Sequence, residues 1–450
     1  MKGESMTTRG IKMLLVGTTL SLATLPAIAK ELTFDEKKYG TLDFQVKGMT
    51  ILDAKDNGYD PNDGTAYLLK LRYLTPTFKG FSVGGGLYAA GDLFNLTDFD
   101  TERVARGMFV TDDGSSEAQL GEIFLRYRHD KFGLDLGRQR YATPMTTTLY
   151  STIPNFYTAY SVSTNALSGF TFGLSQVTEM SFGARAMTDF ALIGEGTGTA
   201  GVATKPNVIG QAEFHDISVT TLGANAPSTN GITVFDASYK GIKGWDFALW
   251  NYYVDDIANN VYLQIDTAIK FEKMKLKLSG QYLYQSDVGA SLGGERDFGM
   301  FGLKATLASK GWAVFAALDS SRGDTAMLNA WGGDPGYVSS IFSRNEYRER
   351  VDAYQIGMKY KILKNLTFVA KYTNYGQSDT LAPAKVLKVA PVGMVESQTD
   401  AYETDLVLIY KPRKDTMLKL FHANRKSEYD GAGGKDLTQA HTRLIASWNY

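Results

Sequence analysis

Alternation of apolar and polar residues constrains this 450-residue sequence more than any other feature. It recurs in short segments from residue 40 to the carboxyl terminus, for example KLKLSGQYLY at 275–284 and YETDLVLIYK at 402–411. Successive side chains of a β-strand point to opposite faces, so each segment predicts a strand with one apolar and one polar face. Helical periodicity is hard to find, and the sequence therefore predicts an all-β fold.

Connections of two lengths alternate between the predicted strands. Short turns lie near 75–80, 129–131, 165–169, 240–244, 271–274, 309–311, 361–365 and 411–415. Longer connections, rich in Gly, Asp, Asn, Ser and Pro, lie near 53–64, 91–117, 141–157, 179–230, 255–260, 286–297, 320–350, 376–400 and 427–439. Together they join 18 strands, with both chain ends on the short-turn side. Segment 206–222 resembles a strand, but counting it would break the even number, so it is assigned to the connection 179–230.

This pattern predicts a transmembrane antiparallel β-barrel. Bacterial outer-membrane barrels combine an even strand number, short periplasmic turns and longer external loops. Strands of about 9–11 residues match the thickness of the bilayer, and a barrel of about 18 strands encloses an aqueous channel. Segment 355–376 then forms strands 14 and 15, in which Ile356 and Phe368 face lipid whereas Lys359 and Lys371 face water.

The amino terminus predicts export. A basic start at 1–12 is followed by an apolar stretch at 13–25 and an A-x-A motif at 27–29. This arrangement is typical of a secretory signal peptide at 1–29, which leaves 30–450 as a single barrel domain. A membrane anchor is the alternative, but the apolar stretch is short for a span of about 20 residues.

Composition and motifs argue against other functions. The formal net charge of −1 gives no bulk attraction for nucleic acid. The absence of cysteine excludes disulfides and thiolate metal sites. The four histidines are scattered, and no G-x-S-x-G, P-loop or dinucleotide-binding motif is present. We therefore predict that the protein is not an enzyme and needs no cofactor or metal.

One segment carries a family resemblance. GLDLGRQRYATPMTTTLYSTIPNFYTAYSVSTNALSGFTFGLSQV, at 133–177, resembles the OprD-type substrate-specific porins of Gram-negative outer membranes. The shared features are a strand ending in Gly-Arg-Gln at 137–139, Thr-Pro at 143–144, Pro-Asn-Phe at 154–156 and the turn 165–169. The final HTRLIASWNY also resembles a barrel terminus, although the family more often ends in Phe than in Tyr450.

The resemblance implies a monomeric 18-stranded barrel with a narrow lumen and a basic ladder on one inner wall. Loop three, about 141–157, and loop seven, about 320–350, would fold into the lumen. Known members pass small carboxylate-bearing nutrients. The expected partners are therefore small solutes, the lipid bilayer, lipopolysaccharide and, through the last strand, the barrel-assembly machinery; from the sequence itself, a monomer and a trimer both remain open.

Strand parity also assigns positive side chains to the lumen. The inward cations are Lys47, Lys70, Arg72, Arg126, Arg128, Lys275, Lys277, Lys304, Lys359, Lys371, Lys419 and Arg443. One interpretation is a cationic track, in which several weak sites attract anions and release them. The other is structural: these cations pair with Asp43, Glu122, Asp135 or Asp266, or extend towards water at the barrel rims.

The candidate substrate path combines this ladder with the two loops. It comprises Arg126, Arg128, Arg138, Arg140, Tyr150, Tyr157, Arg344, Arg348, Lys359 and Lys371. Tyr150 and Tyr157 would offer hydroxyl groups to a solute, although both loops could equally be ordinary external loops. Simple alternation places Arg138 on the lipid face, so we expect the strand to end at Gly137 or a bulge to reset its face.

The function predicted from the sequence is passive, substrate-selective diffusion across the outer membrane. The absence of a plug domain before the first strand, which only residues 30–39 precede, argues against a gated transporter. The alternative is a non-conducting surface barrel whose external loops act in adhesion or binding.

Overall fold

The computed structural model describes residues 30–450 with several gaps. The described residues are 30–34, 37–56, 62–101, 104–105, 108–111, 113–146, 152–182, 212–223, 225–333, 335–341, 343, 348–378, 397–430 and 436–450. The predicted signal peptide, Tyr150 and Arg344 lie outside these residues. No helix in the described part of the chain is long and apolar enough to span a membrane.

Strands account for nearly all of the regular structure. They are β1 Lys30–Phe34, β2 Lys37–Lys55, β3 Gly64–Leu74, β4 Phe81–Asp92, β5 Glu117–His129, β6 Phe132–Gln139, β7 Phe156–Thr164, β8 Phe170–Ser181, β9 His215–Asp216, β10 Ile232–Tyr239, β11 Trp245–Val254, β12 Ala258–Lys270, β13 Lys275–Asp287, β14 Asp297–Ser309, β15 Trp312–Gly323, β16 Asp352–Leu363, β17 Leu366–Asn374, β18 Ser397–Tyr410, β19 Thr416–Asp430 and β20 Leu437–Asn449. A six-residue helix, α1 Ile217–Leu222, follows β9.

The sheet closes into a barrel of 18 antiparallel strands, β2–β8 and β10–β20. Closure depends on β20, which pairs with β19 on one side and with β2 on the other, Val46 lying opposite Trp448. The short β1 and β9 pair with one end of β2 and of β8 and are not counted among the 18 strands of the barrel. The predicted all-β fold and strand number are confirmed, and the described part of segment 206–222 lies outside the barrel wall, within the connection between β8 and β10.

The turns explain why the strand number was predictable. All eight short turns lie where the sequence places them, from 75–80 between β3 and β4 to 411–415 between β18 and β19. One of the nine longer connections differs. Between β11 and β12 only 255–257 connect the strands, with Asp256 at a φ of 57° and the Ile257 amide donating to the Val254 carbonyl. The predicted long connection at 255–260 is thus wrong, but this tight turn still reverses the chain, so the even number survives.

Alternating exposure along each strand separates an outer from an inner face. Leu303 and Ile356 are both 55% exposed, whereas Lys304 and Gln355 next to them are 9% and 2% exposed. Ile356 lies opposite Tyr372, and Met358 lies opposite Ala370, on the outer face of β16 and β17. An exposed apolar band of this kind is the lipid-facing surface of a membrane barrel, and β16 and β17 are strands 14 and 15 of the barrel, as predicted.

A charge in this band should destabilise the barrel. We expect Ile356→Arg, in the middle of β16, to lower the free energy of unfolding by about 2–4 kcal/mol, because the outer face offers an arginine no water. Urea unfolding in lipid vesicles measures the change. Thr171→Arg, at an exposed position on the inner face of β8, is the matched control and should have a much smaller effect. Equal losses in the two variants would contradict the assignment of faces.

Candidate functional site

Loop seven, the connection 324–351 between β15 and β16, lies against the inner wall. Asp319 Oδ2 on β15 accepts from the Val338 amide at 2.9 Å, and Gln355 Nε2 on β16 donates to the Val338 carbonyl at 2.9 Å. Farther along the loop, the Ser343 amide donates to Glu403 Oε2 on β18 at 2.9 Å. The polar inner face of β15–β18 therefore provides the partners for the backbone of this loop.

Apolar contacts reinforce that attachment. Tyr337 and Val338 of loop seven pack against Ala317, Ala353 and Ala401 of the wall, all of them buried. Burial also raises the pKa of the Tyr337 hydroxyl well above its usual value, so this loop tyrosine stays neutral. Loop seven is thus held by both hydrogen bonds and packing.

Loop three, the connection 140–155 between β6 and β7, contacts the opposite wall and loop seven. Lys47 Nζ on β2 donates to the Thr152 carbonyl at 2.8 Å. The Gly333 amide of loop seven donates to the Met145 carbonyl of loop three at 2.9 Å. A side chain at Gly333 would collide with the backbone of Met145, so glycine is required for this close approach of the two loops.

A third connection joins these two loops. The helix α1 belongs to the connection between β8 and β10, and Thr221 Oγ1 accepts from Trp331 Nε1 of loop seven at 3.1 Å. Ile217 and Leu222 of α1 pack with Trp331 and Leu328 in one buried apolar cluster. Side chains on the inner face of β7–β14 complete this cluster, near the end of each strand that meets the long connections.

The part of the inner wall that this apolar cluster does not cover carries positive side chains that lie close to one another. We call this set the cationic arc: Lys47, Arg443, Lys419, Lys371, Lys304 and Lys277. Electrostatic repulsion acts on Lys304 from Lys371 and Lys277. It acts on Lys419 from Arg443 and Lys371. Lys47 is likewise within reach of Arg443. Six of the twelve cations predicted by strand parity therefore form a series along the inner wall.

Carboxylates neutralise part of the inner-wall charge. Lys371 Nζ lies 2.8 Å from Asp405 Oδ2, and Lys277 Nζ lies 3.0 Å from Asp266 Oδ1. Beside the arc, Lys70 pairs with Asp43 at 2.8 Å and Arg72 with Glu122 at 3.0 Å. The structural interpretation that the sequence left open thus holds for several cations, which form ion pairs with Asp43, Glu122, Asp135 and Asp266.

Two cations of the arc share an aromatic ring instead. The ammonium of Lys419 lies 5.7 Å from the centre of the Phe421 ring, and the Arg443 guanidinium lies 5.0 Å from it. Lys419 forms no ion pair with a carboxylate among the residues that the structure describes. A cation–π contact is weaker than a buried ion pair, so Lys419 is the cation of the arc most open to exchange of its partner.

The predicted path residues lie in four environments: at the ends of the lumen, in ion pairs with Asp135, on the outer face, and in buried contacts with the loops. Arg140 is exposed, and its charge acts on Lys70 and Tyr88 of the inner wall. Lys359 is half-buried beside Lys361 and Lys411, near the periplasmic turns. Arg140 begins loop three and Lys359 belongs to β16, so the two lie towards opposite ends of the barrel.

Arg126 and Arg128 are paired rather than free. Arg126 Nε lies 2.8 Å from Asp135 Oδ1, and Arg128 Nη2 lies 2.5 Å from Asp135 Oδ2. Both face the lumen next to the turn at 130–131. One carboxylate, Asp135, therefore pairs with two arginines, and this group of three side chains has a net positive charge at the periplasmic end of the wall.

Arg138 shows that one expectation about the backbone was wrong. β6 continues beyond Gly137 to Gln139, and Arg138 pairs with Ile123 of β5 with no register shift between the two strands. Because Ile123 lies on the outer face, Arg138 lies there too, and its guanidinium is 4.1 Å from the centre of the Phe214 ring. Stacking on Phe214, rather than a bulge, accommodates the charge.

Two loop residues are buried instead of facing a solute. The Tyr157 hydroxyl donates to the Trp331 carbonyl at 2.5 Å, and the side chain is 1% exposed. Arg348 Nε donates to Gln398 Oε1 at 3.0 Å, and its guanidinium stacks on Tyr375. In this structure both side chains hold loops in place, and their assignment to the substrate path stays a prediction.

Comparisons with known proteins agree with this geometry. The model of the OprD family of outer membrane porins matches residues 78–450. The crystal structure of Pseudomonas aeruginosa OpdK with vanillate aligns with a TM-score of 0.70 at 15% identity, covering 91% of this chain and 98% of that one. OccK9 (OpdG) of the same organism aligns with 0.70 at 17% identity, covering 91% and 98%.

A third solved structure is also similar. Pseudomonas aeruginosa OccK2 (OpdF) in complex with glucuronate aligns with a TM-score of 0.67 at 14% identity, covering 91% of this chain and 97% of that one. At these identities the structures establish the barrel fold alone. No curated protein sequence matches the chain significantly.

Removing one anchor of loop seven should loosen the loop. We expect Asp319→Ala to lower the free energy of unfolding by about 1–3 kcal/mol, because the buried Val338 amide and the Gln281 side chain both lose a hydrogen-bond acceptor. The open-channel current in planar bilayers should become noisier as the loop moves. Asp352→Ala, which removes an exposed carboxylate of the outer face, is the control; matching noise in both variants would show that loop seven does not depend on Asp319.

Proposed function

Because the chain belongs to the OprD family of outer membrane porins, we propose that it is a passive, substrate-selective diffusion channel for small hydrophilic solutes that carry a carboxylate. The single observation that carries this proposal is the cationic arc, which lies on the sector of the inner wall that the apolar cluster does not cover. The family and the fold are those of transport channels in the outer membrane. We propose no catalytic role.

The arc supports selection by charge. An anion that enters past the external loops meets Arg140, which is exposed, and then the cations of the arc. Because several cations share the attraction, no single site holds the anion long enough to stop its passage. The neighbouring acids weaken each site further, which favours release over tight binding.

We propose that loops three and seven together form the narrow part of this path. Their contacts with each other, through Gly333 and Met145, and with the wall, through Thr152 and Lys47, support the proposal. Two loops fixed in this way limit the lateral freedom of a solute and bring it close to the arc. Loop three is then the counterpart of the arc across the path.

The similar structures support the choice of solute class. One is that of OpdK with vanillate and another that of OccK2 (OpdF) in complex with glucuronate. Both molecules are carboxylates that carry additional hydroxyl groups. They support a carboxylate-bearing solute for this chain without naming one.

Three further features of the channel are also proposed. The final strand β20, which ends at Asn449, would be recognised by the barrel-assembly machinery. A monomer already contains a closed barrel and a complete inner wall, so conduction requires no second copy, and a trimer would combine three independent channels. Lipopolysaccharide would surround the external half of the outer face.

Neutralising the best exchange site should reduce the preference for anions. We expect Lys419→Gln to shift the reversal potential in a salt gradient towards that of a cation-permeable channel, because the arc loses a charge that no described carboxylate neutralises. Lys131→Gln, in the periplasmic turn 130–131, changes the same net charge away from the arc and is the control. A reversal potential unchanged by Lys419→Gln would remove this lysine from the path. Absence of any ion-permeable channel from the purified wild-type protein would favour the non-conducting surface barrel.

A solute screen should show the class directly. In liposome-swelling assays we expect hydroxylated carboxylates to enter faster than neutral sugars of equal size, since only the carboxylates are attracted by the arc. The double variant Arg140→Gln and Lys419→Gln should narrow this difference without slowing the neutral sugars. Equal rates for charged and neutral solutes through the wild-type channel would refute selection by charge.

A further inference from the structure

The lipid-facing wall of the barrel has an open cleft between β10 and β14, with a volume of about 520 Å³. Gly280 is one of the residues that line it, and two apolar side chains lie close to this glycine. A Cβ at this position would be 3.1 Å from Ile265 Cγ2 and 3.7 Å from Leu303 Cδ2. Aromatic and aliphatic side chains of the outer face surround the cleft, among them Tyr239, Phe247, Tyr282 and Phe301.

The cleft lies at the depth of acyl chains in the periplasmic half of the membrane. Gly280 is five residues beyond Lys275, where β13 leaves its periplasmic turn. At a rise of about 3.4 Å per residue this is about 17 Å along the strand. With a strand tilt of about 40° the depth is about 13 Å, roughly half of an apolar band about 25 Å tall.

The turns below the cleft are basic. Lys240 and Lys243 belong to the turn 240–244, and Lys273 belongs to the turn 271–274. Lys270 ends β12 beside that turn, on the inner-face side of the rim opposite Lys275. All four side chains are exposed, and none of them forms an ion pair with a carboxylate that the structure describes. Glu272 is the one acidic residue within these two turns, every residue of which is described, so the rim below the cleft carries a net positive charge.

We propose that this cleft and the lysines below it form a binding site for an anionic phospholipid of the periplasmic leaflet. One acyl chain fills the space above Gly280, between Ile265 and Leu303. The phosphate of the headgroup lies among Lys240, Lys243, Lys270 and Lys273. A lysine near a membrane surface attracts anionic lipid, whereas a zwitterionic lipid has no net charge to offer, so the site prefers phosphatidylglycerol to phosphatidylethanolamine.

A second basic region of the same rim provides a matched comparison. Lys361, Lys364, Lys411 and Lys414 lie at the turns between β16 and β17 and between β18 and β19. Above them, the outer face carries the larger side chains of Met358, Phe368 and Leu408. Of these two regions, the one below Gly280 combines the cleft with the lysines, whereas a basic surface exists in both.

Native mass spectrometry of the detergent-purified protein, titrated with phosphatidylglycerol or phosphatidylethanolamine, tests the site. We expect the wild type to retain phosphatidylglycerol preferentially. Replacing Lys240, Lys243, Lys270 and Lys273 by Gln should weaken retention by about fivefold for each lysine removed. Gly280→Leu should also abolish the preferential retention, because leucine fills the cleft while every lysine remains. The control quartet Lys361→Gln, Lys364→Gln, Lys411→Gln and Lys414→Gln should retain the lipid as the wild type does. Heat-modified gel mobility shows that each variant is folded.

Three results would overturn the proposal. The first is equal retention of both lipids by the wild type. The second is equal loss in the two lysine quartets, or no loss in Gly280→Leu, which would show a basic surface with no role for the cleft. The third is binding of soluble acidic peptidoglycan fragments that depends on Lys240 and its neighbours but not on Gly280, which would identify the cell wall as the partner of this rim.

Discussion

Hydrocarbon offers no partner to a backbone amide or carbonyl, and this constraint organises the whole chain. It is met because β20 pairs with β2 along its length, from Gln45 opposite Asn449 to Lys55 opposite Gln439, so that the sheet of 18 strands has no open edge. Closure then fixes the meaning of alternation. Every second side chain must suit lipid, and the others are free to be polar because they face the interior.

The polar interior performs two tasks in different sectors. Near the external ends of β7–β14 the inner face is covered by apolar residues of loop three, α1 and loop seven, with Trp331 at the point where all three meet. Over the remaining wall, carboxylates and amides such as Asp319 and Gln355 hold the backbone of loop seven by hydrogen bonds. A wide barrel thereby becomes a narrow one, because its loops occupy part of the lumen.

The sequence predicts local features well and distant contacts poorly. The number of strands and the positions of the turns follow from a period of two and from turn-forming residues. Both signals are local, because they can be read from residues that are neighbours in the sequence. Arg138, in contrast, contacts Phe214 of the connection between β8 and β10, and Arg348 contacts Tyr375 and Gln398. The pairing of Lys371 with Asp405 depends on the register between β17 and β18, which are separated by a long connection. Parity places such side chains on the correct face but does not name their partners.

The nature of each partner decides what an inner-wall cation can do for a solute. An incoming carboxylate that displaces Asp43 from Lys70 would leave a buried acid uncompensated, which is strongly unfavourable. Displacing Lys419 from the ring of Phe421 forfeits a contact of about 0.5–2 kcal/mol, and the ring stays buried. Ion pairs therefore keep the shape of the wall, whereas in the proposed channel Lys419 would accept and release an anion at smaller cost, as weak and repeated binding requires.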